Sequence, residues 1–333
     1  MSDQSFKALL VSEVAEKQFS SELVERSISE LPAGDVLISV EYSSINYKDA
    51  LSASGNKGVT REYPHTPGID AAGKVVESFS ENFREGDEVI VIGYDLGMNT
   101  AGGFGQFIRV PATWVVPLPD GLSLRESMVL GTAGFTAALC VEKLLANGLN
   151  KDNGRVLVTG ATGGVGVVAV ALLAKLGFEV IASTGKAEAK AFLQTMGAAD
   201  IIDRSELAES SSRPLLKEQW AGAVDVVGGD TLFNVIKAVK YGGSVAACGL
   251  VQSPVFQASV LPFILRGVNL LGVDSVELPL ATKTRVWALL ASDWKLENLE
   301  KIVSEIGLDQ LQDCLYRVLK GQARGRYLLN LNA

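Results

Sequence analysis

A short run of glycines follows a β-branched segment near the middle of the chain. The run Gly160-Ala-Thr-Gly-Gly-Val-Gly166 lies between the β-branched run 155–159 and a long stretch of small apolar residues. A strand that ends in a glycine turn and feeds a helix directs backbone N–H groups at phosphate oxygens. Here Gly163 lets the backbone approach a pyrophosphate and Gly166 lets the helix pack closely.

The spacing departs from strict G-x-G-x-x-G, because Ala161 stands at the first glycine position. The strand–turn–helix context still predicts a dinucleotide site, and the alternative is an ordinary glycine-rich turn without a ligand. The candidate cofactor-binding residues are Ala161, Thr162, Gly163, Gly164 and Val165.

The residues beyond the next predicted strand indicate which dinucleotide is bound. An NAD-specific site carries an Asp or Glu about 20 residues after the turn, where it binds the ribose hydroxyls. This chain has Ser183, Thr184, Gly185 and Lys186 there, with no carboxylate. Hydroxyls and an ammonium group suit a 2′-phosphate, and Arg204 after the third strand adds a second cation. These residues predict NADPH, the alternative being that Lys186 only begins an exposed helix.

Two kinds of secondary structure must position these residues. Up to about residue 120, short alternating strands divided by Gly and Pro predict a compact, partly open β-barrel. The predicted strands there cover 36–42, 88–92, 107–110 and 114–117. Strands then alternate with helices, which indicates right-handed βαβ units and a parallel sheet. The predicted helices there cover 123–145, 164–176 and 186–196, and the strands 155–159, 179–183, 200–202, 224–227, 244–248 and 268–273.

The C-terminal tail carries a predicted helix over 311–319 and a strand over 326–331. This tail can return to the first domain, which would make the nucleotide domain an insertion. The predicted domains are therefore 1–125, catalytic; 126–270, NADPH-binding; and 271–333, a return to the catalytic domain.

Composition and charge exclude several classes of function. The chain has 333 residues, of which 47% are hydrophobic and 20% charged, enough for two domains with packed cores. Its formal net charge of −8 disfavours a nucleic-acid surface, which needs positive charge. No apolar run reaches the ~18 residues of a membrane span, and no signal peptide is evident at the N-terminus. We expect a cytoplasmic protein that binds neither nucleic acid nor membrane.

The supply of metal ligands is small. A catalytic zinc needs Cys, His or acidic ligands, and a structural zinc needs a cluster of cysteines. The chain offers one histidine, His65, and three dispersed cysteines, Cys140, Cys248 and Cys314. No Gly-x-Ser-x-Gly motif marks a hydrolase. We expect no metal, no disulfide framework and a structural or surface role for His65.

Several runs of sequence match a known family. They are Ser43-Ser-Ile-Asn-Tyr-Lys-Asp49, Pro67-Gly-Ile-Asp-Ala-Ala-Gly73, Gly131-Thr-Ala-Gly-Phe-Thr136 and Val158-Thr-Gly-Ala-Thr-Gly-Gly-Val-Gly166. With these runs the chain resembles, over essentially its whole length, the quinone-oxidoreductase-like medium-chain dehydrogenases/reductases. The later runs 241–249 and 262–275 are most similar to the acryloyl-CoA reductase subgroup.

The resemblance implies an α/β fold with a GroES-like, β-rich catalytic domain and a Rossmann domain built on a doubly wound parallel sheet. It implies NADPH in the cleft between them, and a homodimer paired through the strand near 268–273. An exposed apolar edge strand needs a partner, which agrees with the dimer. By position, the resemblance places Tyr47 and Thr132 near the nicotinamide, with Leu250, Ile264 and Ser275 lining the cofactor cleft.

The resemblance also implies zinc-independent reduction of an α,β-unsaturated acyl thioester, acryloyl-CoA to propionyl-CoA. Hydride addition to the β-carbon builds negative charge on the carbonyl oxygen, and the α-carbon then needs a proton. Tyr47 is the candidate acid or hydrogen-bond donor, and Asn46 can orient substrate or ribose. Alternatively, both only shape the pocket and water delivers the proton. Arg266, Arg324 and Arg326 are candidate partners for the phosphates of CoA.

Two other functions remain open at this point. A quinone reductase would share the fold and the cofactor but act on a flat aromatic acceptor. A non-catalytic NADPH-binding protein would bind the cofactor without turnover of any acceptor.

Overall fold

The computed structural model describes residues 4–208 and 212–333. The chain divides into two compact units. Unit 1 comprises Met1–Thr132, Val276–Asp293 and Leu299–Ala333, and unit 2 comprises Ala133–Ser275 and Trp294–Asn298. The N-terminal region and the tail thus belong to one unit, and most of the middle of the chain forms the other.

The division differs from the sequence-based boundaries at 125/126 and 270/271. Thr132 belongs to unit 1, where both its backbone N–H and its hydroxyl donate to the carboxylate of Asp70. Ser275 belongs to unit 2, where Thr136 donates a hydrogen bond to its hydroxyl. Such contacts join residues distant in sequence, so local composition does not mark these boundaries.

A mixed sheet forms the core of unit 1. Its strands are β3 (Val36–Ser44), β4 (Asp70–Ser78), β5 (Glu88–Ile92), β6 (Phe107–Val110), β7 (Val115–Pro117), β14 (Val303–Ile306) and β15 (Arg326–Asn330). Their order is β14-β15-β3-β4-β5-β7, with β6 also paired to β3. The apolar residues that alternate along β3, Val36, Ile38 and Val40, are buried in one core cluster. The tail strand β15 pairs antiparallel with β3, which brings the C-terminus into this unit.

The strands predicted over 88–92 and 107–110 are confirmed. The strand predicted over 114–117 begins one residue later, after a 3₁₀ turn at Ala112–Trp114. The antiparallel hairpin of β1 (Ser5–Ala15) and β2 (Gln18–Ser27) was not predicted, because β2 is largely polar and only partly buried. The helices that belong wholly to this unit are α1 (Tyr47–Ala53), α8 (Leu280–Ala291) and α9 (Leu311–Leu319).

Unit 2 is a doubly wound parallel sheet with helices between its strands. The strands are β8 (Val156–Val158), β9 (Val180–Thr184), β10 (Asp200–Asp203), β11 (Trp220–Asp225), β12 (Val239–Ala247) and β13 (Asn269–Gly272). The helices are α3 (Gly164–Lys175), α4 (Lys190–Thr195), α5 (Ser205–Ala208), α6 (Gly229–Lys237) and α7 (Leu261–Arg266). The strand order is β10-β9-β8-β11-β12-β13. From β8 the chain adds strands first on one side of the sheet and then on the other, so the topological switch point, where such sheets bind nucleotides, lies between β8 and β11.

Three predictions in unit 2 need correction. The strand predicted over 244–248 runs instead over Val239–Ala247. The strand predicted over 224–227 runs instead over Trp220–Asp225, all buried, because a turn with positive φ at Gly228 follows. The helix predicted over 186–196 is a 3₁₀ turn at Ala187–Ala189 followed by the short α4.

Helix α2 (Leu124–Ala146) is apolar and long enough to be a candidate membrane span by length and hydropathy. However, 78% of its apolar window is buried inside the protein, and its backbone leaves helical geometry at Gly131. It is therefore packed as a core helix.

Candidate active site

The glycine turn of unit 2 is tightly packed on its inner side. A Cβ on Gly166 would lie 2.8 Å from the Cα of Ala161, closer than real Cβ contacts come. Gly160 has a φ of +57°, which favours glycine, and a Cβ there would meet Val226 at 2.5 Å. Ala161 is fully buried, and its N–H donates to the carbonyl of Ser183 at 3.0 Å. The turn thus forms with alanine at the first motif position.

The outer side of the turn is open. A Cβ on Gly163 would meet nothing closer than the carbonyl oxygen of Gly160 at 3.4 Å, so packing within the protein does not demand glycine there. Gly163 caps α3, and the first N–H groups of a helix have no acceptor within it. The N–H groups of Gly164 and Val165 are therefore suited to the oxygens of a bound anion, as in a pyrophosphate.

Hydroxyl groups gather at the end of β9. The Oγ1 atoms of Thr162 and Thr184 lie 3.3 Å apart, and Thr184 Oγ1 accepts from the backbone N–H of Lys186 at 3.1 Å. Ser183 is 2% exposed, and its carbonyl accepts the bond from Ala161.

Arg204 follows β10, and its backbone N–H donates to the carbonyl of Thr184 at 3.1 Å. We call Ala161–Val165, Ser183–Lys186 and Arg204 together the glycine-turn site. It carries two cations and no carboxylate, which fits a dinucleotide with a 2′-phosphate.

The other cofactor candidates in unit 2 differ in exposure. Leu250 follows β12 and is 53% exposed, and Ile264 in α7 is 68% exposed. Ser275 is buried, and its hydroxyl accepts from Thr136 at 2.9 Å. Their placement as the lining of a cofactor cleft stays a prediction.

In unit 1, a buried carboxylate organises the residues around Asn46. Asp70 is fully buried, and its Oδ2 accepts from Ser44 Oγ at 2.5 Å, Asn46 Nδ2 at 2.8 Å and Thr132 N at 2.9 Å. Its Oδ1 accepts from Thr132 Oγ1 at 2.5 Å. These donors satisfy both oxygens of a charge that would otherwise be costly to bury.

Gly131 makes this arrangement possible. Its φ of +52° and ψ of −159° break helix α2 and free the N–H of Thr132 to donate to Asp70. A Cβ on Gly131 would lie 2.5 Å from Asp70 Oδ2 and 2.9 Å from Arg326 Nη2. Any side chain at this position would push apart the buried carboxylate and guanidinium.

Arg326 supplies the buried positive charge. It is 3% exposed and donates to the carbonyls of Val129 and Ile45, to Ser44 Oγ and, at 3.4 Å, to Asn46 Oδ1. Burial lowers its pKa, while the carboxylates of Asp70 and Asp49 oppose this shift.

The expectation that Arg326 binds a CoA phosphate is therefore wrong, because its guanidinium is enclosed by protein acceptors. Arg266 is similarly committed: it donates to the carbonyls of Lys237, Val239 and Leu216 and pairs with Glu218. Arg324 is exposed.

Asp49 lies on α1, one turn from Asn46. Its Oδ2 accepts from the backbone N–H of Asn46 at 2.7 Å, and its Oδ1 accepts from that of Ile69 at 2.8 Å. Burial, and then the nearby charge of Asp70, raise its pKa to about 7. The carboxyl can therefore change its protonation state near neutral pH. We call Ser44, Asn46, Asp49, Asp70, Thr132 and Arg326 the Asp70 cluster.

The Asp70 cluster fixes the start of α1, where the candidate catalytic residues Asn46 and Tyr47 lie. Asn46 uses its side-chain N–H toward Asp70 and its oxygen toward Arg326, so its orientation is set on both sides. Tyr47, the next residue, begins α1 and is half-buried. The structure thus brings Asn46 and Thr132 together through Asp70.

Sequence reasoning missed Ser44 and Asp70 as site residues and assigned Arg326 to a CoA phosphate instead of the buried cluster. The available signal was a charge inside an apolar strand: Asp70 interrupts the run around Ile69–Ala72, and Arg326 begins the apolar β15.

Comparison with known proteins places these features in a family. Residues 32–120 match the alcohol dehydrogenase GroES-like domain, and residues 164–292 match the zinc-binding dehydrogenase family. The chain is 46% identical to the acrylyl-CoA reductase of Ruegeria pomeroyi, over 98% of this chain and 100% of that protein. The chain belongs to the quinone-oxidoreductase-like medium-chain dehydrogenases/reductases. Among its relatives is YhfP of Bacillus subtilis, described as a putative quinone oxidoreductase, 48% identical over 92% of this chain and 93% of that protein.

Solved structures of this reductase family share the whole fold. The YhdH oxidoreductase of Salmonella enterica, in complex with NADP, has a TM-score of 0.94 at 43% identity and covers 98% of this chain and 99% of its own. YhfP with NAD bound has a TM-score of 0.95 at 46% identity and covers 98% and 100%. The predicted GroES-like domain and Rossmann domain are confirmed.

One matching family bears zinc in its description, but the described residues do not form a group that fits a zinc ion. Across residues 4–208 and 212–333, no group of three or more His, Cys, Asp or Glu is placed to hold a metal ion. His65 is 6% exposed, and its Nε2 has no hydrogen-bond partner in this part of the chain. Burial lowers its pKa, and its backbone pairs with Val11, so its position is structural rather than superficial.

Proposed function

We propose that this protein is a zinc-independent, NADPH-dependent reductase that converts acryloyl-CoA to propionyl-CoA. The observation that carries the proposal is the full-length similarity to acrylyl-CoA reductase, together with a nucleotide site that lacks the carboxylate typical of NAD specificity. The charge and hydroxyl pattern of the glycine-turn site supports the phosphorylated cofactor.

We assign cofactor binding to the glycine-turn site. The N–H groups of Gly164 and Val165 hold the pyrophosphate, because they lie at a helix N-terminus on the open side of the turn. Gly163, whose own N–H donates to the carbonyl of Gly160, lets the backbone approach the pyrophosphate. Thr184, Lys186 and Arg204 hold the 2′-phosphate, and Thr162 and Ser183 shape its surroundings. NADPH supplies the hydride when bound. Ala161, Thr132, Leu250, Ile264 and Ser275 complete the proposed contacts, on the basis of the family resemblance.

We assign the chemistry of the acceptor to the start of α1. Hydride addition to the β-carbon forms a C–H bond and moves the double-bond electrons toward the thioester oxygen, which becomes negatively charged. The phenol of Tyr47 donates a hydrogen bond to that oxygen or a proton to the α-carbon, and water is the alternative proton source. Asn46 is held by Asp70 and Arg326. It therefore fixes the start of α1, and with it the backbone of Tyr47.

The test is to mix the purified protein with NADPH and acryloyl-CoA and to follow the absorbance of the reduced nicotinamide. We expect rapid oxidation with the thioester, slow oxidation with a quinone, and none when NADH replaces NADPH. Propionyl-CoA should accumulate in an amount equal to the NADPH consumed. No oxidation with acryloyl-CoA despite NADPH binding would contradict the proposal.

A quinone reductase is the second candidate, because a relative of comparable identity, 48%, is described as a putative quinone oxidoreductase. The ratio of kcat/KM for acryloyl-CoA and for a quinone distinguishes the two. A strong preference for the quinone would replace the thioester as the proposed acceptor. Binding of NADPH without turnover of either acceptor would favour a non-catalytic role.

We further propose that the protein is a cytoplasmic homodimer paired through β13. This strand ends the sheet of unit 2, and an edge strand presents unpaired N–H and C=O groups that can pair with another chain. No charged residue occurs from Leu250 to Leu265, and this segment exposes much apolar surface. Its exposed apolar side chains, with that of β13, are Leu250, Val251, Val255, Val260, Ile264, Leu265 and Leu270.

Light scattering of the purified protein tests this assembly, and we expect the mass of a dimer. Leu270→Lys should shift it toward the monomer, because it places a charge in the edge-to-edge contact. Phe79→Lys is the matched control, since Phe79 is 72% exposed but lies in unit 1. A dimer that persists with Leu270→Lys would contradict pairing through β13.

A further inference from the structure

One glycine of the glycine-turn site has a side-chain neighbour that explains its identity. Gly185 follows β9 and is exposed, so neither burial nor helix packing demands a glycine there. Its φ lies outside the left-handed region, so the backbone would accept an alanine. What occupies the space of a side chain at Gly185 is Arg204.

The contact is close along the arginine side chain. A Cβ on Gly185 would lie 2.5 Å from Arg204 Nε, 2.7 Å from Cδ and 3.0 Å from Cζ. Real Cβ atoms almost never come within 3.0 Å of another heavy atom, so an alanine would displace the guanidinium rather than the backbone. Arg204 therefore lies directly against the turn that follows β9.

The start of the Arg204 side chain is also fixed. Strands β9 and β10 run parallel, with Thr184 opposite Asp203 in the register. The backbone N–H of Arg204 then donates to the carbonyl of Thr184 at 3.1 Å. This bond fixes the backbone from which the Arg204 side chain starts, and the contact at Gly185 places the outer part of that side chain.

The guanidinium itself is uncommitted within the described part of the chain, where no hydrogen bond or ion pair within 4 Å involves its nitrogens. The adjacent Asp203 carboxylate accepts from the N–H and hydroxyl of Ser205 instead, and Glu206 accepts from the N–H of Asp203. A planar guanidinium held on an exposed turn, beside Lys186 and Thr184, matches a phosphate group by charge and by fork geometry.

We propose that Gly185 is a specificity-determining position that selects a 2′-phosphorylated dinucleotide by leaving the space in which Arg204 lies against the turn. Gly185 acts as a positioning residue, and Arg204 makes the contact with the phosphate. This inference rests on the proposed use of NADPH, and it adds the residue that sets the preference over NADH.

The test uses the full chain and two small probes, 2′,5′-ADP and 5′-AMP, with binding measured by calorimetry. We expect Gly185→Ala to weaken 2′,5′-ADP by about 10-fold, the typical effect of losing a charge-assisted contact, and to leave 5′-AMP unchanged. Arg204→Ala should have the same effect. In the Arg204→Ala background, Gly185→Ala should add nothing, because the side chain that it displaces is already gone.

Two results would overturn the inference while leaving NADPH use intact. In the first, Gly185→Ala binds 2′,5′-ADP as tightly as the wild type does. In the second, Gly185→Ala weakens the binding of 2′,5′-ADP by the same factor in the wild-type and the Arg204→Ala backgrounds. If the wild type itself binds 2′,5′-ADP no more tightly than 5′-AMP, then both the inference and the proposed cofactor fail. The acceptor assignment is independent, since no acceptor takes part in this experiment. Circular dichroism and the melting temperature of each variant show that the fold is retained.

Discussion

The glycine-turn site and the Asp70 cluster are encoded in the chain in different ways. The former is contributed largely by the two short segments Ala161–Val165 and Ser183–Lys186, whose backbone geometry produces the site. The Asp70 cluster gathers Ser44, Asp70, Thr132 and Arg326 from distant parts of the chain around one buried carboxylate. The comparison shows that an arrangement of backbone N–H groups and small residues can be encoded locally, whereas a buried charge needs partners that only folding supplies.

The largest expected effect comes from removing the positive charge of the Asp70 cluster. Arg326→Met leaves the carboxylate of Asp70 buried without its countercharge and should lower the free energy of unfolding by about 3–5 kcal/mol. Urea unfolding followed by fluorescence measures this. Arg324→Met, two residues earlier and exposed, is the control and should change stability by less than about 0.5 kcal/mol. Equal stability of both variants would contradict the electrostatic role of Arg326.

The second prediction tests whether Tyr47, at the start of the helix that the Asp70 cluster fixes, takes part in the reaction. Tyr47→Phe should lower kcat for acryloyl-CoA by about 100-fold, the lower range for loss of a general acid, with the Kd for NADPH unchanged. Tyr241→Phe is the matched control, since Tyr241 is 79% exposed and should leave kcat unchanged. An unchanged kcat with Tyr47→Phe would assign proton delivery to water.

The third prediction separates the two roles of glycine in the glycine turn. Gly166→Ala places a Cβ against the backbone of Ala161 and should destabilise the fold by about 1–3 kcal/mol. Gly163→Ala meets nothing closer than 3.4 Å, so it should keep the melting temperature but weaken NADPH binding. Thermal unfolding and calorimetric titration with NADPH measure the two effects. If Gly163→Ala destabilised the fold as much as Gly166→Ala, the division of roles would be wrong.

The smallest effect, taken per pH unit, is the dependence of stability on pH. Because the folded pKa of Asp49 is raised to about 7, folded protein retains a proton that the unfolded chain loses near its ordinary pKa of about 4. The contribution of Asp49 to stability is thus full below that ordinary value and lost as the pH rises through the folded pKa. The slope is at most about 1.4 kcal/mol per pH unit.

Urea unfolding at a series of pH values measures this slope for the wild type and for Asp49→Asn. The variant cannot titrate at this position, so its stability should fall less as the pH rises. The difference between the two curves isolates Asp49 from the other carboxyl groups. Parallel curves would show that Asp49 titrates normally in the folded state.

The elements with local signals could be predicted from the sequence. The glycine turn, the alternation of strands and helices in unit 2, and strands such as Glu88–Ile92 and Phe107–Val110 follow from periodicity and turn residues. The absence of a carboxylate at the end of β9 could likewise be predicted, because Ser183 to Lys186 stand at the spacing where an NAD-specific site carries Asp or Glu. These features depend on neighbours in the chain, so they need no knowledge of the packing.

The Asp70 cluster and the position of Arg204 against Gly185 could not be predicted in this way, because both depend on how distant segments pack. Arg326 reads in the sequence as one more surface arginine, and only the pairing of β15 with β3 and the break at Gly131 enclose it beside Asp70. Hydrogen bonds between residues distant in sequence leave no periodic trace, because each partner is an ordinary polar residue in its own segment. The physical reason is that burial, which makes such a charge consequential, is a property of the assembled core rather than of any local run.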